Sequence, residues 1–218
     1  MTDWLQRPNI EYQLAYDLCA QQAAGAGGEA ALIASTPFHA RELTARLPAT
    51  RLIAAPRWTP DTPLQTANLT ELDQLDRVDC IIWAEPTVSQ LATVSATIDR
   101  ALIAGGVLCV LVSGRLAGRL SEWRERRAPA LDLAERAPGW AKTEQAVFAP
   151  GRWTVRQRVA FRGLNALAWD YAGQVAARLG RDDLADRCGV AMRASFVAPA
   201  WARSFSTIGV IVAEKRGR

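Results

Sequence analysis

The segment 77–113 constrains the fold more than any other part of the chain. It contains two short runs rich in Val and Ile, at 78–83 and 107–112, on either side of a segment of helical length. In that segment apolar residues recur with a period close to 3.6, and Gly105–Gly106 supplies a turn before the second run. The pattern predicts a strand, a crossover helix and a parallel strand, buried because helices cover both sheet faces.

The rest of the chain extends this alternation. Apolar runs separated by amphipathic stretches and by Gly or Pro predict an open, mostly parallel sheet with right-handed crossovers. Predicted helices cover 10–24, 39–47, 116–127, 164–179 and 182–194. Predicted strands cover 29–35, 51–55, 64–68 (a weak one), 78–83, 107–112, 153–161 and 208–213.

The strand 153–161 differs from the others because its residues alternate. Trp153, Val155 and Phe161 are predicted to point to one side with Gln157 and Val159, and arginines to the other. A strand that is polar on one side is half-exposed, so we place it near an edge of the sheet.

Length and composition predict a single domain over 1–218, with an N-terminal helix in 1–27 and a helical region at 163–200. The chain has 218 residues, half of them hydrophobic, which is enough for one large core. Its apolar stretches are too short to cross a membrane, and it begins without the pattern of a signal peptide. We therefore expect a cytoplasmic protein without a membrane partner.

Metal and nucleic-acid functions find little support in the composition. The chain has four separated cysteines and one histidine, so we expect reduced core thiols and no metal site. His39 is predicted to be a polar surface or helix-capping residue. The arginines at 115–127 and 152–162 could bind nucleic acid, but acidic neighbours favour a solvated face, and we do not expect such a partner.

Three features together resemble one family. Asp79 enters the strand at 78–83, an Ala-Gly-Gly turn precedes the strand at 107–112, and the last strand ends in Ala-Glu-Lys at Lys215. Over residues 28–216 this resembles the class I S-adenosylmethionine-dependent methyltransferases. The resemblance implies a Rossmann-like methyltransferase fold: a seven-stranded, mostly parallel sheet with helices on both faces. It also implies two antiparallel strands at the end, a helical insertion before the last strand, and S-adenosylmethionine as the cofactor.

The chain departs from that family where the cofactor would bind. The family's first strand leads into a glycine-rich loop, whereas here Ser35 and Thr36 follow without glycine. The second strand ends at Pro56 instead of a ribose-binding acid, and Asn68 stands where an acid would hold the adenine. By position, the resemblance assigns cofactor binding to Ser35, Thr36, Pro56, Asn68, Trp83 and Ala84.

The candidate substrate residues follow the two central strands. Glu85 is a candidate general base, or else an exposed acid favoured by the start of the next helix. Ser113 and Arg115 are candidates for an anionic substrate group, or else an ordinary turn. Ser35 and Thr36 have the alternative role of helix caps.

Two functions stay open at this point. One is a methyltransferase acting on an unknown small molecule or protein. The other is a methyltransferase-like pseudoenzyme that binds no cofactor and serves as an interaction or scaffold module in a homo-oligomer or a hetero-complex. A nucleotide-dependent dehydrogenase ranks last, because the first strand is not followed by Gly-Xaa-Gly-Xaa-Xaa-Gly.

Overall fold

A computed structural model describes residues 10–34, 37–47, 51–54, 77–113, 139–148 and 151–217. The helices are α1 (Ile10–Ala26), α2 (Pro37–Arg46), α3 (Val88–Ala101), α4 (Gly139–Val147), α5 (Leu164–Arg178) and α6 (Asp182–Ala194), with a 3-10 helix at Ala200–Phe205. The strands are β1 (Ala30–Ala34), β2 (Arg51–Ala54), β3 (Val78–Ala84), β4 (Leu102–Ser113), β5 (Trp153–Phe161) and β6 (Ile208–Lys215). The predicted strand 64–68 and helix 116–127 lie outside the described residues.

The described strands form one mixed sheet in the order β2-β1-β3-β4-β6-β5. Residues 80–84 of β3 pair in parallel with residues 107–111 of β4, which confirms the arrangement that the sequence predicted most strongly. β6 runs antiparallel to both β4 and β5. Two predictions need correction: the described part of the sheet has six strands instead of seven, and only β6 among them runs in the direction opposite to the rest, where two antiparallel strands were expected.

Helices cover both faces of this sheet because its central strands are apolar throughout. One cluster of buried residues joins α1 and α2 to residues such as Leu32 and Ile82. The other joins α3 and α4 to the alternate residues of the same strands, such as Ile33 and Ile81. Successive side chains of a strand point to opposite faces, so a continuous apolar run supplies both clusters.

The crossover helix α3 is shorter than its sequence pattern predicts. It starts with a capping box, in which Thr87 and Gln90 exchange side-chain and backbone hydrogen bonds. It ends at Ala101, and β4 begins at once at Leu102. The glycine turn therefore does not terminate the helix: Gly105, with φ +81°, lies in an irregular stretch where the register of β3 and β4 shifts.

A β-bulge also changes the predicted alternation of β5. Val155 pairs with Ala213 and Gln157 with Val212, so Arg156 is the extra residue and the sides exchange beyond it. Trp153 consequently packs in the cluster beneath α3, whereas Phe161 packs in the cluster beneath α1. The prediction that one side carries both rings is wrong, while the edge position of β5 among the described strands is confirmed.

Two residues that carry the family resemblance have visible structural roles. The backbone N–H of Asp79 donates to the carbonyl of Glu29 over 3.0 Å, and the Asp79 carboxylate accepts from the N–H of Glu29 over 3.1 Å. The ammonium group of Lys215 donates to the carbonyls of Asp99 and Leu102, the latter over 2.8 Å. Lys215 thus binds the negative end of α3, where a cation is favourable.

Helices α5 and α6 form a hairpin between β5 and β6, and they pack chiefly against each other. Ala166 and Ala176 are the buried residues of α5, and Cys188 is the buried residue of α6. The hairpin is tied to the sheet at its base. There Arg162 binds both Glu11 of α1, over 3.1 Å, and Asp170 of α5, over 2.9 Å. In the part of the chain that the structure describes, no helix has the length and apolarity to cross a membrane.

Candidate functional site

The topology of the sheet directs attention to one point on its edge. The strand order reverses at β1, because β2 lies on one side of it and β3 on the other. Ligands of open α/β sheets bind beyond the carboxyl ends of the strands at such a switch point. Glu85 directly follows β3, Ser113 ends β4, and α2, which carries His39, follows β1. These residues therefore meet at the switch point.

The Glu85 carboxylate is the centre of a polar cluster. Its Oε1 accepts hydrogen bonds from the Ser113 hydroxyl over 2.5 Å and from the Tyr12 hydroxyl over 3.3 Å. Its Oε2 lies 2.9 Å from Nε2 of His39. The side chain of Glu85 is 20% exposed, so the carboxylate lies at the rim of the cluster.

His39 connects this carboxylate to the core. The residue is 3% exposed, and its Nδ1 lies 2.7 Å from the hydroxyl of Tyr16, which is fully buried. If Nε2–H donates to Glu85, a neutral ring accepts the Tyr16 hydrogen at Nδ1, so that Tyr16, His39 and Glu85 form a continuous chain of hydrogen bonds. The prediction that His39 is a surface or capping residue is wrong.

The backbone at Glu85 is strained. Its φ of +49° lies in the left-handed region, which costs a residue with a Cβ roughly 1 kcal/mol or more. The Glu85 N–H nevertheless donates to the carbonyl of Leu111 in β4 over 3.1 Å, which holds this conformation. The carboxylate thereby meets its partners at the end of β4 and on α1 and α2.

Electrostatics favour one charge state for the carboxylate and for the two phenols of this cluster. Burial disfavours the charge of Glu85, but the attraction and hydrogen bond of His39 and the bonds from Ser113 and Tyr12 prevail, so its pKa is lowered from 4.5. Burial, reinforced by the Glu85 charge, raises the pKa of Tyr12 and of Tyr16. The carboxylate is therefore ionised at neutral pH and both phenols keep their protons.

Arg46 completes the buried side of the cluster. Its guanidinium lies 5.5 Å from the centre of the Tyr16 ring, within the range of a cation–π contact. Asp17 of α1 accepts from Arg46 over 2.7 Å and Glu42 of α2 over 3.2 Å. The pair with Asp17 joins α2 to α1, the helices that carry His39 and Tyr16, whereas the pair with Glu42 lies within α2.

The structure places some of the predicted site residues together. Glu85 and Ser113 meet through a direct hydrogen bond. Trp83 and Ala84 are fully buried, Trp83 in the core beneath α3 and Ala84 in the core beneath α1. Ser35, Thr36, Pro56, Asn68 and Arg115 lie outside the described residues.

The sequence interpretation missed Tyr12, Tyr16 and His39 as members of the site. Tyr12 and Tyr16 are four residues apart and share one face of α1, a spacing that was visible in the sequence. Nothing in the sequence shows that His39 and Glu85, which are 46 positions apart, are in contact. Among the described residues no group of three His, Cys, Asp or Glu side chains could hold a metal ion, and the four cysteines are free and buried.

Comparison with known proteins gives matches by structure alone. No protein-family model and no curated protein sequence matches the chain. It is similar to the geranyl diphosphate C-methyltransferase from Streptomyces coelicolor A3(2), solved with Mg²⁺, geranyl diphosphate and S-adenosyl-L-homocysteine. That match has a TM-score of 0.51 and 12% identity, covering 94% of this chain and 79% of the other. The chain is also similar to the N-methyltransferase NodS from Bradyrhizobium japonicum WM9, solved with S-adenosylhomocysteine. That match has a TM-score of 0.49 and 13% identity, covering 99% of this chain and 92% of the other. At these identities the likeness shows the fold.

Proposed function

We propose that this chain, which has the fold of the class I S-adenosylmethionine-dependent methyltransferases, binds that cofactor and methylates a substrate of still unknown identity. The observation that carries the proposal is Glu85, which combines an ionised carboxylate with a strained backbone at the topological switch point of the sheet. Backbone strain persists where the surrounding structure enforces it, and such positions cluster at functional sites. The single domain over 1–218 and the cytoplasmic location stay predictions.

The residues at the switch point fit the charge of the cofactor. S-adenosylmethionine carries a sulfonium cation, and its methyl group is the electrophile that it supplies when bound. A carboxylate with a lowered pKa remains an anion at neutral pH and attracts such a cation. Glu85 would hold the cofactor from the end of β3, whereas Ala84 before it is fully buried. Ser35, Thr36, Pro56 and Asn68 are the predicted partners on the neighbouring connections.

The hydrogen-bonded chain at Glu85 supplies a proton acceptor for the substrate. A hydroxyl or amine becomes more acidic as it gains a methyl group, and its proton must then leave. Glu85 lies at the rim of the cluster, and Nε2 of His39 lies 2.9 Å behind it. Together Glu85 and His39 can accept that proton and stabilise the positive charge that it brings to them. Ser113, which donates to the same carboxylate, and Arg115 are the proposed contacts of the substrate.

Calorimetric titration of the full chain with S-adenosylmethionine and with S-adenosylhomocysteine tests this proposal. The two molecules differ by one methyl group on sulfur and by the positive charge that it brings, both of which the homocysteine form lacks. We expect Glu85→Gln to weaken binding of the methionine form by about tenfold and of the homocysteine form by less. The control is Glu144→Gln, which removes a carboxylate on α4 that is bound to Arg158 of β5. This variant is expected to leave both affinities unchanged. Equal losses for both ligands with Glu85→Gln would contradict the assigned role.

A specific observation favours the alternative of a pseudoenzyme. The Glu85 carboxylate already accepts from Tyr12 and Ser113 and contacts His39, and the connection after β1 has no glycine. A site whose polar groups satisfy one another has less to offer a ligand. Absence of heat with both molecules at high concentration, from a chain that unfolds cooperatively, would remove the first proposal and leave a fold that binds no cofactor, as the second requires.

A further inference from the structure

Helix α5 has two apolar sides, and the described part of the protein covers one of them. The side that faces α6 carries small residues: a Cβ added at Gly173 would lie 3.3 Å from that of Cys188, so the two backbones approach closely. The opposite side presents Leu164, Ala168, Tyr171 and Val175, which we call the α5 seam. All four are exposed, Tyr171 to 70%. A helix that is apolar on both sides requires cover on both.

The spacing of the α5 seam suits packing against another helix. Its members follow one another by four, three and four residues, which is the spacing of the a and d positions of a coiled coil. A seam of this kind is complementary to a second seam of the same kind. The positions that flank it are uncharged, so like charges do not meet when two copies approach: Asn165, Leu167, Ala172 and Gln174.

We propose that the α5 seam binds the α5 seam of a second copy of this chain, in antiparallel orientation, to form a two-fold symmetric dimer. Continuing the seam by three residues reaches Arg178, and a parallel pair would place the two Arg178 side chains against each other. The antiparallel pair avoids this repulsion. It also places Ala168 opposite Tyr171 of the other copy, so that a small side chain meets a large one.

The ends of the seam agree with this orientation. Leu179, just past the C-terminal end of α5, is 73% exposed. At the other end, Val197 pairs with Phe161, and a Cβ on Gly163 would lie 3.0 Å from that of Ala198, so the segment 197–198 packs against the start of α5. The exposed Trp201 follows this segment in the 3-10 helix. In the antiparallel pair the Leu179 of one copy reaches the Val197 and Trp201 region of the other. One arrangement thus covers the exposed apolar groups at both ends.

The charges of the hairpin favour a second copy over an anionic surface. The exposed helix α6 carries Asp182, Asp183 and Asp186 in its first half, with Arg187 and Arg193 after them. A surface of mixed charge has no net attraction for nucleic acid or for anionic lipid. The inference concerns assembly and stands independently of the proposed methyl transfer.

Light scattering after size exclusion, over a range of concentrations, tests the dimer. The chain has a mass of 23.7 kDa, so a dimer has roughly 47 kDa, twice that value. Tyr171→Glu places a charge in the seam on an exposed side chain and is expected to weaken association at least about tenfold, with its circular dichroism and melting temperature retained. Val190→Glu, on an exposed position of α6 outside the seam, is the matched control and leaves the dimer intact.

Cysteine cross-linking tests the orientation, because the native cysteines are free and buried. An equal mixture of Ala168→Cys and Tyr171→Cys chains is expected to form the mixed disulfide dimer under mild oxidation, whereas Ala168→Cys alone is not. Efficient cross-linking of Ala168→Cys to itself would overturn the antiparallel pair. A wild-type chain that stays monomeric at all concentrations would overturn the dimer. So would a monomer that binds lipid vesicles through Tyr171, which would assign the seam to a membrane.

Discussion

The sheet edge at Glu85 and the α5–α6 hairpin handle polarity in opposite ways. At the sheet edge polar groups are buried and bonded to one another, as in the contact of His39 with Tyr16. In the hairpin large apolar side chains such as Tyr171 face solvent. Buried polar groups have a cost that only precise partners offset, and exposed apolar groups have a cost that only a cover offsets. The difference separates the two proposals: a small ligand is proposed for the edge, where polar groups converge, and a second copy of the chain for the hairpin, where apolar groups are exposed.

Glycine replacements give the largest expected contrast between the sheet and the hairpin. A Cβ at Gly209 in β6 would lie 2.0 Å from the ring of Trp140 and 2.7 Å from the carbonyl of Val159. Gly209→Ala is therefore expected to lower the free energy of unfolding by about 3 kcal/mol. Gly189→Ala in α6 meets nothing closer than 4.0 Å and is expected to raise it by up to about 1 kcal/mol. Urea denaturation measures both, and equal effects would contradict the contrast.

Removing the buried imidazole gives the next largest effect. His39→Leu removes the imidazole that contacts the Tyr16 hydroxyl and one Glu85 oxygen, and the loss of these two contacts is expected to cost about 2 kcal/mol. Tyr171→Phe removes a hydroxyl from an exposed ring of the hairpin and is expected to change stability by less than about 0.5 kcal/mol. Thermal unfolding compares the two. An unchanged melting temperature for His39→Leu would mean that the cluster adds nothing to the fold.

The charge of Glu85 gives a pH dependence with a definite sign. Its pKa is lowered from 4.5 in the folded chain, against its burial, by His39, Ser113 and Tyr12, so the folded state binds the proton less readily than the unfolded state. Its stabilising contribution is therefore present above pH 4.5 and is lost as the pH falls through the folded pKa. Wild type should lose more stability than Glu85→Gln on acidification from neutral pH. Parallel curves for the two chains would refute this.

The contact at the end of α3 gives the smallest effect. Lys215→Met removes the ammonium group that binds the carbonyls of Asp99 and Leu102, and we expect a loss of about 1 kcal/mol. Arg216→Met removes an exposed hydrogen bond to Thr154 and should cost less than about 0.5 kcal/mol. Chemical denaturation of both variants checks the difference. A larger loss for Arg216→Met would show that the helix end is not the relevant contact.

The sequence predicts the centre of the fold because two independent patterns agree there. In β3, α3 and β4 the apolar runs and the 3.6-residue repeat describe the same burial that the structure shows. The bulge at Arg156 escaped because one extra residue changes the sides of β5 without any change in composition. The contact of His39 with Glu85 escaped because the pairing of β1 with β3 creates it, and no local pattern encodes such a pairing.

The sequence also predicts that α5 is amphipathic, but not what its apolar side meets. The periodicity that includes Leu164, Tyr171 and Val175 describes a helix with something to bury. This periodicity does not show whether the apolar side packs against the same chain or against another one, because burial within a chain and burial between chains use the same side chains. Only the exposure of these residues in the fold separates the two.

The position of β6 has a consequence for how the molecule is made. β6 lies between β4 and β5 in the sheet, although both of them precede it in the chain. During translation β4 and β5 are synthesised before β6, so the strand edges that β6 will pair with stay unpaired until it is made. Such an interval favours pairing with the wrong neighbour. We expect pauses in synthesis before residue 208 to increase aggregation, and chaperones that shield strand edges to act on this chain before its last strand emerges.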